Sequence, residues 1–309
     1  VNIPLLLLFK TEKLRWPGFS GLVRAELAPA QVYFTGSIWS PRMPSQGEPR
    51  AIGDNPPILK KRTNNLPEVN YSNDGPVRHL HLGTEWIQGS MYLEDPIGLV
   101  HEYVQRMMAW LLFVEPDSVK ERQAMQLGLG AGSLTKFCHK ELHMKTTAIE
   151  LNPQVLVACR GWFKLPADNA DMQVVLADAA QEILNPKWWG TVDALQVDLY
   201  DHEAAAPVLD SLPFYNHCRR LLTPEGSMTV NLFGRASSFT RSVEKISAAF
   251  GKEAVWAFKP TREGNTVVLA QHTPTRPKRE LLMARATTID ARWGLPADKW
   301  VRVLRPMLP

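Results

Sequence analysis

The sequence predicts an α/β protein with a doubly wound, mostly parallel sheet of seven strands, preceded by a small N-terminal β-hairpin. Three observations predict it. Short apolar runs alternate with helix-patterned stretches between residues 125 and 270, as they do where crossover helices cover both faces of a parallel sheet. The first of those runs enters a glycine loop, Gly128-Leu129-Gly130-Ala131-Gly132, that opens a helix. Ahead of them, residues 77–93 alternate apolar and polar side chains about a turn at Gly83-Thr84-Glu85.

A chain of 309 residues with 45% hydrophobic content can bury one large core or two modest ones. Charged residues make up 21%, the net charge is only +4 and no long run has one sign, which argues against a nucleic-acid partner. The basic cluster Arg276-Pro277-Lys278-Arg279 reads as a solvated stretch before a helix. Three cysteines, Cys138, Cys159 and Cys218, are odd in number and sit in apolar or helical surroundings, so a reducing compartment, the cytoplasm, is expected over a disulfide framework. The apolar run at residues 3–9 is far below the ~20 residues of a spanning helix. It also lacks the basic start and small-residue cleavage site of a secretory signal, so no membrane partner is expected.

Residues 1–68 show no sustained period and are punctuated by prolines from Pro17 to Pro67, which predicts an irregular segment. Two readings stay open. Either the opening Val marks an alternative start placed too far upstream, or the segment is a genuine amphipathic arm. After the hairpin, Leu99, Tyr103, Met107, Trp110 and Leu111 recur at helical spacing up to the stop at Pro116. Strands follow at residues 125–129, 146–150, 172–177 and 194–197, each with a helix behind it, the second helix starting favourably at Pro153. Residues 228–233, 254–258 and 266–270 supply three more strands, the last two closed by Gly264-Asn265 as an antiparallel pair. The expected organisation is an irregular segment at 1–68, a hairpin and helix at 69–116, a nucleoside-binding domain at 117–272 and a helical tail at 273–309.

The chemistry-bearing residues fall at the carboxyl ends of successive strands. Glycines at 128, 130 and 132 allow backbone N–H groups and a helix N-terminus to approach a ligand, where a Cβ would intrude. Their G-x-G-x-G spacing differs from the dinucleotide G-x-G-x-x-G and makes a nicotinamide cofactor less favoured. Glu150 ends the second strand 20 residues beyond Gly130, the offset at which a carboxylate accepts from both ribose hydroxyls. Asp178, with Ala179, follows the third strand, either as an acceptor for an adenine amine or simply as a helix N-cap. The fourth strand runs into Asp198-Leu199-Tyr200-Asp201-His202-Glu203, an acidic cluster suited to holding a protonated amine or removing its proton. His139 and His143 lie four apart on a helix, but no third ligand is evident, and no metal is expected.

With these residues in order, the sequence resembles the spermidine-synthase-like group of the polyamine-biosynthesis domain family, built on the Rossmann-like class I methyltransferase fold. The resemblance spans roughly residues 77–271. It rests on the hairpin, Tyr103-Val104-Gln105-Arg106-Met107-Met108, the glycine loop, Ala148-Ile149-Glu150, Ala177-Asp178-Ala179 and Val197-Asp198-Leu199-Tyr200-Asp201. It implies that Gly128, Gly130 and Gly132 hold the methionine-derived part of an S-adenosyl donor, Glu150 its ribose, and Asp178 and Ala179 its adenine. It implies Asp198 as the base, Asp201 as a second catalytic carboxylate, and Tyr103, Gln105 and Tyr200 as contacts to a small-molecule amine. The reaction implied moves an aminopropyl group from decarboxylated S-adenosylmethionine to a polyamine, in an assembly such as a homodimer.

The sequence departs from that pattern where the amine half of the site lies. The family's loop carries an acid between its glycines that holds the donor's amino group, and here the place is Ala131. The polyamine-contacting Tyr of the helix appears as Val104, with Tyr103 one place earlier, and the hairpin-to-helix glutamine is missing. Two alternatives therefore stand beside aminopropyl transfer. One is a methyltransferase using S-adenosylmethionine itself, whose carboxylate an acid at position 131 would repel. The other is a nucleoside-binding protein without catalysis.

Overall fold

The computed structural model describes residues 66–200, 209–233 and 236–307, the side chains of Ala236 and Ser237 excepted. The expectations placed on residues 1–65 lie outside the described residues, and so does Asp201. A three-stranded antiparallel sheet comes first: β1 (Val69–Asp74), β2 (Val77–Leu82) and β3 (Ile87–Tyr92), in that order. The expected hairpin is its second half. β1 was hidden because VNYSND places a single side chain even half-buried, so it shows no apolar alternation.

The main sheet has eight strands. Its elements are β4 (Gln123–Leu127), α2 (Ser133–Lys136), β5 (Lys145–Glu150), α3 (Pro153–Trp162), β6 (Met172–Leu176), α4 (Ala179–Glu182), β7 (Val192–Val197), α5 (Leu212–Leu221), β8 (Leu222–Phe233) and α6 (Ala236–Phe250), after the short α1 (Glu102–Arg106). Then come β9 (Val255–Phe258), β10 (Asn265–Gln271), α7 (Arg279–Trp293), α8 (Ala297–Val303) and β11 (Leu304–Pro306). The spatial order is β11-β9-β10-β8-β7-β4-β5-β6. β6, β5, β4, β7 and β8 run parallel, while β10 is antiparallel to both β8 and β9. Seven strands match the expected sheet. The eighth, β11, is a three-residue edge strand brought back by α7 and α8, too short to register as a pattern.

Two expected helices are remodelled, the first for an identifiable reason. The stretch from Leu99 to Leu111 forms only the single turn α1 and a 3-10 turn at Ala109–Phe113. Met107 to Leu112 are all at most 1% exposed, so this segment is core on every side rather than an amphipathic helix. The Met107 carbonyl is drawn out of a helical ladder to accept from Thr229 Oγ1 at 2.9 Å. The helix after the glycine loop begins as α2 and continues as a π turn at Phe137–Glu141.

Apolar side chains from α7, α8 and the 3-10 turn fill one face of the main sheet, with Trp110 and Trp300 at its centre. α5 and α6 cover the other face with Tyr215, Ile246 and Phe250. A third cluster joins Leu80 and Met91 of the small sheet to Leu129 and Ala131 of the glycine loop and to α3. That cluster fixes the small sheet over the carboxyl end of β4.

Candidate active site

In an open parallel sheet a ligand finds its crevice at the carboxyl ends of the strands where the winding reverses. Here that point lies between β4 and β7: β5 and β6 extend the sheet one way, β8 the other. A cavity of about 610 Å³ opens there, roofed by Gln88, Gly89 and Ser90 of β3 and floored by the glycine loop. Gly128 has φ +90°, and a Cβ on it would sit 2.4 Å from the Asp198 carbonyl oxygen. Roof and floor touch as closely: a Cβ on Gly89 would lie 2.6 Å from the Ala131 nitrogen. Ala131 is 2% exposed within the apolar third cluster, so a methyl group fills the place that the family pattern gives to an acid.

Glu150 ends β5 with both carboxylate oxygens engaged. Oε2 accepts from the Leu129 N–H at 3.0 Å and Oε1 from the Asn152 N–H at 2.7 Å, which ties the acid to the glycine loop. Burial pushes its carboxyl above the ordinary range, against the pull of these N–H groups. Each oxygen keeps a further lone pair for a donor such as a ribose hydroxyl. Asp178 caps α4, its Oδ1 accepting from the Ala180 N–H at 2.9 Å, and both it and Ala179 line the cavity. The N-cap role and a ligand-facing role are therefore compatible, since Oδ2 is not the capping atom.

Asp198 leaves β7 into the cavity and is held from two sides. Its Oδ1 accepts from Asn231 Nδ2 at 3.0 Å, and the Tyr103 hydroxyl also hydrogen-bonds the carboxylate. Burial raises the Asp198 carboxyl above its usual range, and the two hydrogen bonds oppose that rise. The Tyr103 hydroxyl is pushed well above ordinary phenol, first by burial and then by the Asp198 charge, so it remains a donor. Asn231 is oriented in turn: its Oδ1 accepts from Asn265 Nδ2 at 3.1 Å, which leaves its amino group for Asp198.

The structure brings Tyr103, Asp198 and Tyr200 to one wall, but it uses Tyr200 differently from a free substrate contact. The Tyr200 hydroxyl donates to the Asn231 carbonyl at 2.9 Å and accepts from the Phe233 N–H, which spends it on the end of β8. Gln105 is not among the cavity-lining residues; its Nε2 donates to the Leu99 carbonyl at 2.8 Å. Sequence reasoning missed Asn231, Asn265, Glu263, His101 and Ser90, all of which line the cavity or hold its wall. Asn265, opposite Phe233, reaches Asn231 diagonally only because β10 runs back antiparallel along β8. Replacing Asn231 with Leu leaves Asp198 held by Tyr103 alone, and kcat is expected to fall roughly ten- to a hundredfold with the donor KM little changed. Steady-state kinetics with each substrate varied in turn checks this.

Carboxylates at the ends of β5, β6 and β7 and a glycine loop after β4, around a cavity at the switch point of this strand order, make up the architecture of the class I methyltransferase fold. No protein-family model matches the chain. Curated relatives narrow the class. A polyamine aminopropyltransferase of Chromobacterium violaceum is 31% identical over 242 residues, covering 78% of this chain and 90% of the relative. That of Neisseria meningitidis serogroup A is 30% identical over 253 residues, covering 81% and 94%. The chain belongs to the polyamine aminopropyltransferase family and is a transferase. Solved structures agree on the fold. A probable spermidine synthase from Corynebacterium glutamicum superposes with a TM-score of 0.59 at 17% identity, covering 76% of this chain and 88% of that one. Human methyltransferase-like protein 13, in complex with SAH, gives 0.55 at 22% identity, covering 62% and 92%.

Proposed function

We propose that this transferase moves an aminopropyl group from decarboxylated S-adenosylmethionine to a diamine or polyamine. One observation carries the reading. Glu85, Glu150, Asp178, Asp198 and Glu263 line the cavity, and no lysine or arginine does so among the described residues. A pocket of that charge suits a donor carrying a sulfonium and an ammonium, and an acceptor that is itself a polycation.

In this reading the glycine loop holds the aliphatic part of the donor, Glu150 its ribose hydroxyls, and Asp178 with Ala179 its adenine. Asp198 accepts a proton from the attacking ammonium. The freed nitrogen lone pair forms a bond to the donor carbon next to sulfur, the C–S bond breaks, and its electron pair neutralises the sulfonium as a thioether leaves. A carboxyl raised by burial is the stronger base for that step. Tyr103 and Asn231 position Asp198, and Tyr103 lines the acceptor end; Gln105 acts behind the wall through Leu99, and Tyr200, on the wall itself, acts through Asn231. Asp201, three residues after Asp198, supplies the second carboxylate. Three buried, unpaired thiols suit the reducing cytoplasm, and a homodimer is the assembly we propose.

Ala131 favours a second reading, methyl transfer from S-adenosylmethionine, because the methyl group there neither holds an ammonium nor repels a carboxylate. Calorimetric titration of both donors separates the two. Aminopropyl transfer is expected to show at least about tenfold tighter binding of the decarboxylated donor, ~1.4 kcal/mol. The reverse preference overturns it in favour of methyl transfer.

A further inference from the structure

We infer that Trp86, in the turn between β2 and β3, stacks on the purine of the donor and closes that end of the cavity; the inference rests on the S-adenosyl donor proposed above, whichever group is transferred. Trp86 lines the cavity and is nevertheless 55% exposed. A single exposed apolar side chain needs no explanation, but here three cluster. Ile87 and Leu151, 44% and 43% exposed, line the same cavity, and among the described residues no other large apolar side chain in it is left so open.

The turn stands over the nucleoside end. β3 crosses the glycine loop in a fixed register: a Cβ on Gly130 would lie 2.9 Å from the Gln88 carbonyl oxygen, and the Ser90 carbonyl accepts from Ser133 Oγ at 2.9 Å. Trp86 therefore precedes the crossing, on the side of β5. The contacts of the turn agree. A Cβ on Gly83 would sit 3.9 Å from Pro67 Cβ, and the Pro67 carbonyl accepts from Asn152 Nδ2 at 3.1 Å. Asn152 is the residue whose N–H holds Glu150 Oε1, and Leu151 lies between them in the chain. The cavity's other aromatic side chains among the described residues, His101, Tyr103, Tyr200 and Phe233, belong to the Asp198 end, where Tyr103 bonds Asp198, His101 stacks on Tyr103 and the Phe233 N–H bonds Tyr200.

A purine is flat, neutral and polar only at its edges. Glu150 and Asp178 can hold ribose hydroxyls and a purine edge, but carboxylates give the faces of the ring nothing, and those need apolar cover. An indole supplies it over the largest area and adds stacking that any base accepts. The backbone of Trp86 is already pinned for this. Its carbonyl can only accept, so His81 Nδ1 carries a proton and donates to it at 3.2 Å, with His81 Nε2 lying 2.8 Å from Ser72 Oγ. Its N–H donates to Thr84 Oγ1 at 3.3 Å. The ring is thus presented at the rim from a braced turn, and ordering it on the ligand costs little.

The test is calorimetric binding of S-adenosylmethionine and of its decarboxylated form to the full chain and to Trp86→Ala, Trp86→Leu and Trp86→Phe. All three variants should melt with the parent, because a side chain this exposed leaves no core cavity behind. Stacking on the purine predicts that Trp86→Ala raises the Kd of whichever donor binds by roughly ten- to a hundredfold, and of both by the same factor if both bind, since they share the adenosine. Trp86→Phe, which keeps a ring, recovers most of the loss; Trp86→Leu, which keeps apolar bulk without a π face, recovers little. Parental affinity in Trp86→Ala, or equal affinities of the Leu and Phe variants, overturns the inference. A parent that binds neither donor defeats the donor assignment itself, and the inference with it.

Discussion

Asp198→Asn is expected to bind the nucleoside donor as the parent does and to lose turnover by roughly 10²–10⁴-fold, the usual contribution of a positioned base. The amide keeps the shape and can still accept from Asn231 through its oxygen. It cannot take a proton from an ammonium. The same variant should be more heat-stable than the parent near neutral pH. Burial raises the Asp198 carboxyl in the folded protein, so the folded state holds that proton more tightly than the unfolded chain. Folding is then favoured at a pH below the unfolded value, and that contribution is lost as pH rises through the raised one. Removing the carboxylate removes the loss, so the gain in Tm should be present at neutral pH and vanish in acid. In the parent, kcat should fall as pH drops through the raised value, because the protonated acid is no base. Thermal melts and kcat–pH profiles of the two proteins check all three statements. A variant that keeps parental turnover removes Asp198 from the mechanism.

Gly128→Ala is expected to abolish donor binding and lower Tm, because two costs fall on the same residue. A backbone at φ +90° costs an L-residue about 1–3 kcal/mol. The added Cβ, 2.4 Å from the Asp198 carbonyl oxygen, also pushes β4 and β7 apart at the switch point itself. Gly190→Ala is the matched control: its φ is +67°, and nothing lies within 4 Å of its Cβ position. It should show only the backbone strain, a smaller Tm loss with donor binding kept. Melting curves and donor titrations of both variants distinguish a local blockade from general damage; equal effects would mean that the contact with Asp198 does not matter.

The parts of this site that the sequence made legible are local ones. The glycine loop, Glu150, Asp178 and Asp198 each end a strand, and a strand's end can be located from a few neighbouring residues. What was illegible depends on the order of strands in space. Asn231 reaches Asp198 because β8 lies beside β7, and Asn265 reaches Asn231 through an antiparallel register 34 residues away in sequence. His101 meets Ser90 across the cavity wall, a contact with no periodic signal. Chemistry-bearing side chains can also be diverted, as Tyr200 is by the backbone of β8 and Gln105 by the Leu99 carbonyl. The broken helix after Leu99 belongs to the same class: its 3.6-residue period is real, but core surrounds the segment and Thr229 claims the Met107 carbonyl.

The most direct test of aminopropyl transfer is mass spectrometry of the products formed by the full chain from decarboxylated S-adenosylmethionine and a panel of diamines, with Asp198→Asn alongside. The account predicts methylthioadenosine and an acceptor extended by one aminopropyl group, both lost in the variant. Methylthioadenosine absent with every diamine, together with S-adenosylhomocysteine formed from the carboxylated donor, would contradict it.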